Sequence, residues 1–399
     1  MQPIRTAKNL QTITPSMTLA ITAKAKQLRA EGKNVIGFGA GEPDFDTPEA
    51  IKQAGIAAIN DNFTRYTEVN GTMALRKLIC KKFQDENNLA YEPKNIIVNS
   101  GAKHSLFLAL SAILNPGEEV IIPVPYWVSY PEMVKIAGGV PIYVQTTAEN
   151  GFKVTAQDLQ NALSEKTKAI MLNSPSNPTG SVYSKEELQV VADFAVQNNV
   201  MVLSDEIYES IVYDGVEHVS IAQLGEDIKK NAIVINGLSK TYAMTGWRIG
   251  YTAAEEDIIK AMSSIQGHTV SHPASMAQKA GEAAMTLDKK IIEEMVEQYD
   301  ERRQFMMRYI DENISELSYI KPEGAFYLYV DISKIFGKTY KGKTVNCALD
   351  FAGVLLEEAL VAVIPGEGFG TKEFIRLSYA TSMANIEEGL KRIKDFLNE

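Results

Sequence analysis

"NAIVINGLSKTYAMTGWRIG", residues 231–250, joins an apolar, β-branched run to a stretch whose only charges are Lys240 and Arg248. The run reads as a buried strand. A lysine at the tip of such a strand is either an ordinary amine in water or a group held for chemistry. These twenty residues alone leave both readings open.

Outward from this stretch the same plan recurs: a short apolar strand, a turn, then an amphipathic helix. "KNIIVNSGAKHSLFLALSAIL" (94–114) passes from strand to helix through Ser100, Gly101 and Ala102. "EEVIIPVPYW" (118–127), "KAIMLNSPSNPTG" (168–180) and "NVMVLSDEIYE" (199–209) end strands on aromatic, Asn/Pro/Gly and acidic residues. Near-continuous apolar strands alternating with helices predict an α/β fold: a mostly parallel sheet in a three-layer α/β/α domain. That domain spans residues 46–285. Functional residues of such sheets gather beyond the strands' carboxyl ends. Gly101, Trp127, Asn177, Asp205 and Lys240 are therefore expected along one edge.

After about residue 285 the pattern changes. "DKKIIEEMVEQYDERRQFMMRYIDENI" (288–314) predicts a long charged helix bridging domains. "GAFYLYVDI" (324–332) and "VAVIPGEGFG" (361–370) read as strands of a smaller α+β domain over 286–399. The N-terminal arm, 1–45, is expected to pack with that smaller domain.

The strand tips suggest one chemistry. A lysine amine at a buried strand end can form a Schiff base with a carbonyl, and burial favours its neutral, nucleophilic form. A carboxylate at Asp205 could keep a pyridine nitrogen protonated, as pyridoxal phosphate chemistry requires. Arg248 suits a phosphate. The Gly101–Ala102–Lys103 turn opens a helix whose free N–H groups suit the same phosphate. Trp127 offers a flat face to an aromatic ring. Each has a plain alternative: Asp205 and Glu206 as a helix N-terminal pair, Asn177 to Gly180 as a turn, Trp127 as core.

Composition narrows the field. The 399 residues carry a net charge of −10, which argues against a nucleic-acid surface but allows a local basic pocket. The two cysteines, Cys80 and Cys347, lack CxxC spacing, so neither a disulfide framework nor a zinc site is expected. His268 and His272 are read as loop or helix-end residues, and no metal is expected. No apolar run approaches a membrane span, and the N-terminus lacks a signal-peptide core. The cytoplasm is the expected location.

Taken together, the segments identify a resemblance. "GLSKTYAMTGWRIG", "AGEPDFDTP", "PYWVSYPEMV", "NSPSNPTG", "SDEIYE" and "RLSYAT" occur in the order found in class I, fold-type I, pyridoxal-phosphate-dependent aminotransferases. Among these the chain most resembles the bacterial aspartate aminotransferases of group Ib, over essentially its whole length. The resemblance implies pyridoxal 5'-phosphate as cofactor and a ping-pong transfer from L-aspartate to 2-oxoglutarate. It implies Lys240 as Schiff-base lysine and general base, Asp205 as partner of the pyridine nitrogen, and Tyr208 and Asn177 as donors to the phenolate oxygen. Arg248 and the backbone at Ala102 and Lys103, beside Gly101, would hold the phosphate, and Trp127 would stack on the ring. Arg376, with Gly39 near the same end, would grip the substrate α-carboxylate. Tyr66 would reach the phosphate of the other subunit, which implies a homodimer.

Substrate choice is implied more loosely. Lys103, with Ser16 and Thr18, would read the side-chain carboxylate. Thr14 stands where prephenate-using relatives often carry lysine, which argues against prephenate. Aromatic, kynurenine or alanine aminotransferases and carbon–sulfur β-lyases share the fold. A transcription regulator would need a DNA-binding segment ahead of the fold, where none is expected. A non-catalytic binder would be expected to have lost Lys240 or Asp205.

Overall fold

The computed structural model describes residues 11–13 and 17–398. Its main sheet has seven strands, in the order Ile96–Asn99, Gly250–Ala253, Ala232–Gly237, Met201–Asp205, Thr167–Asn173, Glu119–Val124 and Val140–Gln145. Six run parallel, and Gly250–Ala253 runs against both its neighbours. Successive residues feed opposite faces, as the two-residue strand period demands. Ile170, Val202 and Val234 pack on one side; Met171, Leu203 and Ile233 pack on the other. Both faces are covered, so these strands are apolar throughout. Full burial of each such side chain contributes about 1.5–3 kcal/mol.

Register aligns the strand tips. Asn173 pairs with Asp205, Asp205 with Ile235, and Gly250 lies between Gly237 and Asn99. Gly250 allows this closeness: a Cβ there would lie 2.3 Å from the Ala102 nitrogen. Lys240 sits three residues past the strand Ala232–Gly237 and not at its last position.

The second sheet is antiparallel, with strands ordered Ile364–Pro365, Phe374–Ser378, Tyr327–Asp331 and Ser318–Ile320. It is reached through the helix Lys289–Asn313, whose buried Met295, Tyr299, Arg302, Arg303, Met306 and Ile310 recur at helical spacing. Arg303 is itself buried and pairs with Asp300 and Asp214. Arg302 reaches back to Asp44 at 2.8 Å. Near the N-terminus, Ile36–Gly37 pairs in parallel with Val361–Ala362, and Phe38 accepts from the Ser378 amide. Among the described residues no helix is long and apolar enough to cross a membrane.

Candidate functional site

A cavity of about 650 Å³ opens beyond the strand tips. Ala102, Lys103, Trp127, Asn177, Asp205, Tyr208, Lys240, Arg248, Gly39 and Arg376 all line it. Residues as far apart in the chain as Gly39 and Arg376 meet there because the strands end level and the antiparallel sheet supplies Arg376.

At one end, Gly101 adopts φ +87° and caps the helix Ala102–Ile113. Within that helix the first backbone donors to find an acceptor are His104 and Ser105, both on Gly101 O, so the Ala102 and Lys103 amides are first-turn donors with no acceptor among the described residues. Only glycine fits at position 101. Its φ is left-handed, and a Cβ would fall 2.2 Å from an Arg248 guanidinium nitrogen. Arg248, itself at φ 58°, is fixed by bonds to Thr245 O (2.9 Å) and Ser100 O (3.2 Å). Two amides and a guanidinium thus converge where an anion would sit.

Lys240 donates to Gly41 O and lies 5.7 Å from the Tyr208 ring centre. Burial, with the neighbouring Arg376 and Arg248 opposing Glu42 and Asp205, brings its amine down to about 8. Asp205 is 4% exposed, and burial pushes its carboxyl up to about 6. Its Oδ2 accepts from Tyr130 at 2.6 Å. Asn173 braces the neighbouring turn, accepting from Asn177 N (2.8 Å) and donating to Asp205 O (2.9 Å). Tyr208 shares a 2.8 Å hydrogen bond with Tyr327.

Arg376 is 2% exposed. It donates to Asn177 Oδ1 (2.8 Å) and Gly39 O (3.2 Å), and its guanidinium lies 4.3 Å from the Tyr327 ring centre. Its Nε has no partner, and no carboxylate among the described residues lies within ion-pairing reach. A buried cation in this condition calls for an anion from outside. Lys103 projects over the Trp127 ring at 4.8 Å, its amine lowered by burial and by Arg248. It likewise has no ion-pair partner among the described residues.

Tyr66 stands apart. It does not line this cavity; it is 90% exposed, with its ring edge-on to His272 at 5.6 Å. Its loop is nonetheless pinned by buried amides: Gln266 donates to Val69 O and Gln278 to Thr67 Oγ1, while Thr67 N donates to His272. Ser16 and Thr14 lie outside the described residues, as does the side chain of Thr18. Among the described residues one cluster has metal-ligand geometry: Glu206, Glu209 and His218. Lys82 already brings an ammonium to Glu209 there.

Sequence reasoning missed Tyr130, Gly41, Asn173 and Tyr327. Tyr130 carried one faint signal, its place three residues after Trp127 in "PYWVSY". Gly41 and Asn173 lie within the quoted "AGEPDFDTP" and "NSPSNPTG", but Gly41 acts through its carbonyl and Asn173 as a brace, while Tyr327 reaches Tyr208 only across the fold.

A family model for class I and II aminotransferases matches residues 33–393. The chain is 49% identical to the aspartate aminotransferase of Bacillus sp. (strain YM-2), over 98% of each chain. It is 48% identical to the aspartate aminotransferase of Bacillus subtilis, covering 99% of this chain and 100% of the relative. The crystal structure of the aspartate aminotransferase of Rhizobium meliloti matches with a TM-score of 0.96, at 43% identity over 99% of both chains.

Proposed function

Because the chain belongs to the class I and II aminotransferases, we propose that it moves the amino group of L-aspartate to 2-oxoglutarate, giving oxaloacetate and L-glutamate. One observation carries the aspartate reading. Two cations without a carboxylate partner among the described residues, buried Arg376 and the more exposed Lys103, line the cavity that holds Lys240. A dicarboxylate satisfies both; alanine or phenylalanine satisfies only one.

The family depends on pyridoxal 5'-phosphate, and the residues present fit it. Arg248 lies two residues before the strand Gly250–Ala253, which stands two places, roughly 10 Å, from the strand that ends on Asp205. That span suits a substituted pyridine with a phosphate arm. Arg248 with the Ala102 and Lys103 amides would hold the phosphate, and the cradle exists because position 101 has no Cβ. Asp205 would hold the proton on the ring nitrogen. Tyr208 and Asn177 would donate to the phenolate oxygen, and Trp127 would cover a face of the ring. Bound there, the cofactor supplies an aldehyde for the amino group and a ring that accepts electrons as the Cα proton leaves.

The chain's own work is positioning and proton transfer. Arg376 binds the α-carboxylate bidentately and so orients the Cα–H bond. Lys240 Nζ removes that proton and later returns one. With its amine near 8, about one molecule in ten is neutral at pH 7, against roughly one in three thousand for an ordinary lysine. Lys103 would hold the side-chain carboxylate.

A donor screen against 2-oxoglutarate tests this reading, run on wild type and Lys103→Ala. Aspartate should lead among donors. A charge contact in a closed site is worth about 2–4 kcal/mol. Lys103→Ala should therefore lower kcat/KM for aspartate roughly 30- to 1000-fold and leave alanine nearly unchanged. A parallel loss for both donors, with weaker cofactor binding, would assign Lys103 to the phosphate instead.

The working unit in this reading is a homodimer in which Tyr66 crosses to the phosphate of the second copy. A tyrosine almost fully exposed, on a loop anchored at the next residue by the Thr67 amide's bond to His272, supports it. Subunit mixing checks it, using a Tyr66→Ala, Lys240→Ala double variant exchanged into wild type. The only intact lysine of each heterodimer then lacks its crossing tyrosine. Activity per intact lysine at limiting cofactor should fall about tenfold or more. Undiminished activity would place Tyr66 in its own subunit's site. The two free, half-buried cysteines suit a reducing compartment, and the cytoplasm is the proposed location.

A further inference from the structure

We propose that Tyr130 is a positioning residue for the reaction: its hydroxyl, donated to Asp205 Oδ2, holds that carboxylate in place and keeps it ionised. The inference rests on the reading of Asp205 as partner of the ring nitrogen.

The geometry is specific. The Tyr130 hydroxyl lies 2.6 Å from Asp205 Oδ2, and both side chains are buried. Tyr130 opens the helix Tyr130–Ile136, 75 positions away in sequence. The turn after the strand Glu119–Val124 places it: Tyr130 N donates to Trp127 O at 2.9 Å, and the two rings meet edge-on at 5.4 Å. One turn therefore sets both the ring-covering tryptophan and the carboxylate's partner. The other Asp205 oxygen receives only a long bond from the Ile207 amide, 3.4 Å. A phenylalanine at 130 would fill the same apolar space against Leu106 and Met133, so the hydroxyl is there for the carboxylate.

Electrostatics agree. Tyr130, Tyr208, Lys240 and Glu206 are the titratable groups around Asp205. Burial pushes Asp205 up; the Tyr130 bond and the Lys240 ammonium pull it down; Glu206 pushes it up again. Burial holds the Tyr130 phenol well above its ordinary range, so it stays a donor. Without that hydroxyl the carboxyl takes up a proton at higher pH. A neutral carboxyl no longer pairs with a protonated pyridine nitrogen, and a more basic carboxylate draws the proton off it.

The test is cofactor affinity against pH, read on apoenzyme titrated with pyridoxal phosphate through tryptophan fluorescence, since Trp127 lines the cavity. Wild-type affinity should fall as pH drops through about 6, where Asp205 protonates. In Tyr130→Phe the same fall should begin about one pH unit higher, with the curves converging near pH 8. Tyr130→His, which retains a donor, should recover part of the shift and serves if the phenylalanine variant does not fold. In an Asp205→Asn background, Tyr130→Phe should displace nothing, because the titrating group is gone. An equal loss at every pH, or a shift that persists in the Asp205→Asn background, would make Tyr130 merely structural and overturn the proposal. Asp205→Asn binding the cofactor with the wild-type profile would instead overturn the reading of Asp205 itself.

Discussion

Lys240→Ala is expected to keep its pyridoxal phosphate and lose transamination by roughly 10⁵-fold or more. The two halves of this result have separate causes. Cofactor retention follows because Arg248, the Ala102 and Lys103 amides, Asp205, Tyr208 and Asn177 all remain. The loss follows because, in the proposed reading, one amine serves as both nucleophile and base. No neighbour can replace it: Tyr208 is held by burial far above its ordinary range, and the remaining cations near the site are guanidiniums and Lys103. Lys240 is also the group whose surroundings are tuned for the task. Burial and Arg376 disfavour its charge, while Gly41 O holds the amine at the cavity wall. Its neutral fraction should rise through pH 8, so capture of free cofactor by apoenzyme should quicken over that range. Single-turnover absorbance with aspartate measures the loss. Borohydride treatment of the wild-type holoenzyme should fix the cofactor to the peptide containing Lys240, and a label on another lysine would overturn the assignment.

How much of this was legible in the sequence depends on how local each determinant is. The strands announced themselves because burial on both faces forces runs such as "NAIVIN" and "AIMLN", which need no knowledge of their neighbours. The strand tips followed, since chain direction in a parallel sheet puts every C-terminal end on one edge. The antiparallel strand Gly250–Ala253 was not legible. Its residues, "GYTA", lack the apolar β-branched run of the other strands, and their place is set by two glycines meeting, Gly237 opposite Gly250, across the bend at Arg248. Similarly, nothing near Arg376 in the chain says that Asn177 and Gly39 would hold it. That took the register of a second sheet. Tyr130 was the chief omission in the site. Its sequence neighbourhood is that of a core aromatic, and only the fold brings Asp205 within 2.6 Å of it. Tyr66 was the reverse case: a polar loop gave no reason to single it out beyond the resemblance, and its exposure within one protomer is what makes a crossing contact physically reasonable.

Asp205→Ala should cut turnover by roughly 10³-fold or more while changing KM for aspartate by only a few-fold. The asymmetry follows from where the charge appears. A cofactor bound there would take up negative charge only as the Cα proton leaves, so a fixed carboxylate at Asp205 would matter most at that point and little before it. The interaction strengthens in the transition state, so its removal falls on kcat. Cofactor affinity should weaken as well, by about tenfold, since a charge-assisted bond in a buried site is lost. A merely structural role for Asp205 predicts a different pattern, with stability, KM and kcat damaged together. The two are separable by cofactor chemistry. A pyridoxal phosphate analogue methylated on the ring nitrogen carries its positive charge permanently and needs no carboxylate to keep it. Loaded into Asp205→Ala, that analogue should recover part of the lost turnover, whereas in wild type it should bring no gain. Failure of any recovery, with the analogue bound, would mean that Asp205 does something other than maintain that charge. The strand Met201–Asp205 would then end on a carboxylate for the sake of its bond to Tyr130 alone.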